Sequence, residues 1–137
     1  PMQWNHGVNF GFSNASPEKL YIPTDDKPNS PTVEDQINDP DSLYHEVKKL
    51  IAIRRAHSAL LSDGDIEFVS DGADGAPLAY IRSSADEKIL VIINPADKEA
   101  VLEVPGIWNE SLYTVGGTVK AENGKRIISP KSANVLR

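Results

Sequence analysis

From Asp39 to Leu60 the chain reads Asp-Pro-Asp-Ser-Leu-Tyr-His-Glu-Val-Lys-Lys-Leu-Ile-Ala-Ile-Arg-Arg-Ala-His-Ser-Ala-Leu, with no glycine and no proline after Pro40. Leu43, Val47, Leu50 and Ile51 recur at the spacings of one helical face, and Leu60 closes the run with Leu61. Asp39 is placed to accept a hydrogen bond from a free first-turn N–H, and Pro40 fits the first helical position, where its missing donor costs nothing. Asp41 and Glu46 lie toward the positive end of the helix dipole, and Lys48, Lys49, Arg54 and Arg55 toward the negative end. The pattern predicts one amphipathic helix over 39–60. Its apolar face needs a partner.

That helix separates two regions of opposite character. Residues 1–38 are crowded with turn formers, among them Asn5, Gly7, Asn9, Gly11, Ser13, Asn14, Pro17, Pro23, Asp25, Asp26, Pro28 and Pro31. A loop of this length without regular structure is uncommon in a compact domain. Trp4, Phe10, Phe12, Leu20, Tyr21 and Ile22 argue against disorder, which is poor in aromatics, so the segment reads as an ordered loop packed on a scaffold. After the helix come short alternating runs: Asp65–Ser70, Pro77–Ser83, Lys88–Asn94, Ala100–Val104, Gly106–Asn109, Ser111–Val115, Thr118–Ala121, Arg126–Ser129 and Ala133–Leu136. Ile89–Ile93 is continuously apolar, as a strand covered on both faces would be. The fold class is therefore mainly β: an antiparallel β-sandwich preceded by a long loop and one α-helix, divided as 1–38, 39–61 and 62–137.

Composition narrows the function classes. A net charge of −6 over 137 residues, spread without single-sign blocks, argues against nucleic acid as a partner. No apolar run has membrane length. The absence of cysteine removes disulfides and thiolate chemistry and suits a cytoplasmic setting. Pro1 and the loop-like start suggest one piece of a longer polypeptide.

No constellation in the chain is equipped for chemistry by itself. His6, His45 and His57 share no metal-ligand spacing with each other or with Asp and Glu, so neither a metal nor a cofactor is expected. No nucleophile elbow is present. Gly116-Gly117 fits a hairpin turn rather than a phosphate loop. Asp25-Asp26 and Asp86-Glu87 fall in turns, where solvation accounts for them. Trp4 and Trp108 could stack on sugar rings, though packing is the commoner use of such residues.

Pro1-Met2-Gln3-Trp4-Asn5 followed by Phe10-Gly11-Phe12-Ser13 resembles the stretch after the last catalytic carboxylate in α-glucosidases of glycoside hydrolase family 13, the α-amylase family. Leu20-Tyr21-Ile22-Pro23, Pro31-Thr-Val-Glu-Asp-Gln36, Lys49-Leu-Ile-Ala-Ile-Arg54 and His57-Ser-Ala-Leu60 are similar to later motifs of that family, in the same order. Thr32 and Ser58 depart from it, standing where the family has Asn and Pro.

The resemblance implies that 1–38 is the last loop, and 39–61 the last helix, of a TIM barrel, with 62–137 as the family's C-terminal sandwich. It implies retaining hydrolysis of short α-linked gluco-oligosaccharides by carboxylates upstream, in a missing N-terminal catalytic barrel that would be this chain's partner. Gln3, Trp4 and Asn5 would lie near the substrate, and the chain alone would be inactive. Two other readings stand beside this one: a trehalose synthase-type isomerase, since Gly11–Pro23 looks similar to that enzyme, and a non-catalytic carbohydrate-binding sandwich using Phe68, Tyr80, Trp108 and Tyr113. With the barrel absent, Leu43, Val47, Leu50 and Ile51 should be partly bare, or covered by the sandwich or by self-association.

Overall fold

The computed structural model describes residues 1–25, 27 and 29–137. Asp26 and Pro28, read above as turn formers, lie outside the described residues. The chain divides into two compact units, Pro1–Ile51 and Ala52–Arg137.

The first unit is built on backbone capping rather than on a core. Helix α1 spans Val33–Asn38, within the segment expected to be irregular. Thr32 Oγ1 accepts the Asp35 N–H and the Asp35 carboxylate accepts the Thr32 N–H, a reciprocal capping box. The remaining first-turn donors, Val33 N–H and Glu34 N–H, reach Gln3 O at 2.9 Å and Trp4 O at 3.0 Å. All three early N–H groups of a six-residue helix are thus satisfied.

Helix α2 spans Leu43–Ala56, shorter at both ends than expected. Asp39 ends α1 instead of opening α2, and its side chain accepts the Asp41 N–H at 2.9 Å in the turn between them. The donor at the start of α2, Tyr44 N–H, goes to Gln36 Oε1 at 3.0 Å. At the other end His57 turns extended, and Ser58–Leu60 forms a separate 3-10 turn. Along α2, Leu43, Val47, Leu50 and Ile51 are 70%, 46%, 39% and 47% exposed.

The second unit is the expected antiparallel sandwich. Its strands are β1 Asp65–Asp71, β2 Leu78–Ser83, β3 Lys88–Asn94, β4 Ala100–Glu103, β5 Ser111–Val115, β6 Val119–Glu122, β7 Lys125–Ile128 and β8 Ser132–Leu136. One sheet has the order β1-β2-β3-β8-β5 and the other β4-β7-β6. Gly106–Asn109 is not a strand; it carries Trp108 into the core, where the indole N–H donates to Pro105 O at 2.9 Å.

β3 sits at the middle of the larger sheet, which explains its unbroken apolar run. Leu90 and Ile92 join Ala79, Ile81, Val104, Trp108, Ile128 and Leu136 between the sheets. Ile89 and Val91 point the other way and pack with Val135 and the fully buried Ala59 of the 3-10 turn. Gly116-Gly117 is no hairpin: it leads from β5 in one sheet to β6 in the other. Gly116 has φ +75°, and a Cβ there would overlap the Lys131 carbonyl oxygen.

Candidate functional site

Gln3, Trp4 and Asn5 form a short extended run clamped on two sides. On one side their carbonyls at Gln3 and Trp4 receive the α1 donors described above. On the other, Trp4 N–H and Asn5 N–H both donate to Phe10 O, at 2.9 and 3.2 Å. Phe10 belongs to a tight turn in which Asn9, Phe10 and Gly11 all adopt left-handed backbone, with φ of 49°, 55° and 70°. For Asn9 and Phe10 such conformations cost on the order of 1–3 kcal/mol each, and they persist only where surrounding contacts enforce them. Asn9 supplies such contacts, donating Nδ2 to Ser13 O at 2.9 Å and Ala15 O at 2.7 Å.

The three side chains face different fates. Trp4 is about half exposed. Asn5 is turned onto its own loop, where Oδ1 accepts the Gly7 N–H at 2.8 Å and the amide lies against Gly11. Gln3 lines an open apolar groove of about 600 Å³ together with Met2, Val33, Leu43, Val47 and Ile51.

Next to this run, His6 Nε2 lies 3.1 and 2.9 Å from the two oxygens of Asp35. The Thr32 hydroxyl and His6, with the Thr32 N–H, hold the Asp35 carboxyl below its ordinary range. Both oxygens are therefore committed as acceptors, which makes Asp35 a bracket rather than a free base. Beside it, His6, Ser30, Gln36 and Asp39 line a cleft of about 430 Å³.

A second polar cluster lies in the sandwich unit, and sequence reading placed its central residue wrongly in solvent. Asp86 is exposed as expected, but the Glu87 side chain is only 13% exposed. His57 Nδ1 donates to Glu87 Oε1 at 2.6 Å, and Ala59 N–H donates to Oε2 at 3.3 Å. Arg137 pairs with Glu87 at 3.5 Å and with Glu110 at 2.7 Å. Burial raises the Glu87 pKa, but the donors from His57, Ala59 and Arg137 outweigh it and leave the carboxyl below its usual value. Ser58, where the family pattern has proline, bonds its hydroxyl to that of Ser84 at 2.8 Å. The Thr32 departure is equally well used, since Thr caps a helix as Asn does.

The two pairs, His6–Asp35 and His57–Glu87, are separated by 29 and 30 residues, beyond the reach of any spacing rule. The only local signal was Thr32-x-x-Asp35, the outline of a capping box. Among the described residues no group of three or more His, Cys, Asp or Glu could hold a metal ion. No helix among them is long and apolar enough to cross a membrane. The aromatic platform required of a carbohydrate-binding sandwich is incomplete: Trp108 is buried, Tyr80 and Tyr113 are half-buried, and exposed Phe68 meets Tyr80 at 58° rather than coplanar.

Comparison with known proteins gives consistent matches. The α-amylase family profile (alpha amylase, catalytic domain) matches residues 1–64. A glucan 1,6-alpha-glucosidase of Streptococcus pneumoniae is 36% identical over 97% of this chain and 24% of its own length. A trehalose synthase of Pimelobacter sp. is 37% identical over 69% of the chain and 18% of its own. The crystal structure of trehalulose synthase MutB from Pseudomonas mesoacidophila superposes with a TM-score of 0.80 at 24% identity, over 99% of this chain and 24% of that one. The sandwich corresponds to the C-terminal domain of such enzymes. The chain thus spans about a quarter or less of the length of these relatives.

Proposed function

The chain belongs to the α-amylase family of glycoside hydrolases, and on that premise we propose that it works as the C-terminal part of a retaining α-glucosidase acting on short α-linked gluco-oligosaccharides. The observation that carries this reading is the bare face of α2. Leu43, Val47 and Ile51 form an apolar groove with Met2 and Val33, and an amphipathic helix of a finished fold covers such a stripe. The reading supplies the cover: the neighbouring elements of a barrel, with residues 1–38 as its last loop, 39–61 carrying its last helix and 62–137 as the appended sandwich.

In a retaining glycosidase one carboxylate attacks the anomeric carbon while a second acts first as acid and then as base. Both come from the barrel in this proposal. The contribution of this chain is to bind and exclude. Loops after barrel strands build the sugar site, so Gln3 and Trp4 sit at its rim, the half-exposed indole available to a sugar face. Asn5 acts by holding its own loop. In the absence of the barrel, the same stripe on α2 would drive self-association. A cytoplasmic setting goes with the reading, on the absence of cysteine.

An isomerase reading is favoured by one specific observation, the similarity to trehalose synthase. Incubating the full-length protein with maltose and with isomaltose separates the two. Glucose as the main product is expected; trehalose as the main product would overturn the hydrolase reading.

A further inference from the structure

The capping box of α1 is complete without His6. Thr32 Oγ1 already receives Asp35 N–H at 3.1 Å, and Asp35 Oδ2 already receives both the Thr32 N–H and the Thr32 hydroxyl. The His6 side chain is 62% exposed, so it adds little by burial. What its bond to Asp35 adds is a link from that cap to the residues just before it. The backbone ties at Gln3 O and Trp4 O fix one end of the run Gln3–Asn5; His6 pins the other end to the same helical turn. Between these points Phe10 O accepts both the Trp4 N–H and the Asn5 N–H.

We propose that His6 and Asp35 form a positioning pair that sets where Gln3 and Trp4 stand at the sugar site, acting on turnover only through those residues. The inference rests on the placement of Gln3–Asn5 proposed above. Displacing such a rim weakens binding of ground and transition states alike without touching the reacting carboxylates, so the effect falls mainly on KM.

The test uses the full-length protein. His6→Phe keeps an aromatic ring and removes the donor; His6→Gln keeps a donor. His6→Phe is expected to raise KM for isomaltose or maltose about tenfold with a smaller change in kcat, and His6→Gln to recover most of the loss. Glu87→Gln serves as the control, because it weakens bonds within the sandwich unit and leaves the pair in place. It should lower the melting temperature while keeping KM near the unmodified value. An unchanged KM in His6→Phe overturns the proposal, as does a Glu87→Gln variant that reproduces the full KM rise. If the unmodified protein is inert on every glucoside tried, the placement at a sugar site fails instead. Amide exchange at Trp4 and Asn5 then decides the clasp itself: protection lost in His6→Phe upholds it, and protection retained overturns it.

Discussion

The two units of this chain satisfy the same physical demands by different means. The sandwich unit buries its apolar side chains in two layers on either side of β3, from Leu90 and Ile92 on one face to Ile89 and Val91 on the other. Among its described residues the first unit buries Thr32 and Ser42, both of them polar and hydrogen-bonded, while Leu43, Val47, Leu50 and Ile51 stay exposed. One unit is held by exclusion of water, the other by directed bonds to backbone. A region that meets its polar requirements but not its apolar ones is shaped to receive something.

Stability measurements can break that contrast. Ile92→Ala removes fully buried volume between the sheets and should cost about 2–5 kcal/mol in urea unfolding. A smaller loss would mean that the sandwich core relaxes easily. Glu87→Gln should cost about 1.5–3 kcal/mol near neutral pH, by weakening charge-assisted bonds to His57, Ala59 and Arg137. Because the folded carboxyl sits below its ordinary value of 4.5, its contribution is fully present above that pH. The contribution fades as pH falls through the lowered value, so the wild type and Glu87→Gln should converge in acid. Divergence there would place the stabilisation elsewhere.

Within the first unit the expected effects are smaller. Thr32→Ala removes a helix cap and should cost about 1 kcal/mol, with loss of helical signal confined to α1. Leu43→Ser should change the stability of this chain by no more than about 0.5 kcal/mol, given its exposure. The same substitution in the full-length protein should cost severalfold more. Equal effects in both settings would sink the reading of α2 as a covered helix.

Legibility in the sequence followed the range of the interactions. β3 and the body of α2 were readable because their burial is written in local periodicity. The ends of α2 were not: Asp39-Pro40 has the composition of a helix start, yet the donor at Tyr44 is met by Gln36, a side chain eight residues back and inside a different helix. α1 was passed over because Pro31 and Asn29 dominate its surroundings, although Thr32 and Asp35 carried a recognisable cap. Glu87 was misjudged for a different reason. A carboxylate in a turn is usually solvated, and nothing local reports that His57, Ala59 and Arg137 converge on it. Gln3, Trp4 and Asn5 were singled out by family resemblance alone; that Asn5 is spent on its own loop needed coordinates.

The strand order also carries a timing consequence. β5 neighbours only β8 in its sheet, and β8 separates it from β3. A ribosome therefore delivers β5 some twenty residues before the strand that joins it to the rest of the sheet exists. Until residues 132–136 emerge, Tyr113 and its neighbours have no ladder to enter, and the edge of β3 stays open. The nascent sandwich passes through a stage with two unsatisfied strand edges, the kind of surface that chaperones bind and that pairs wrongly between chains.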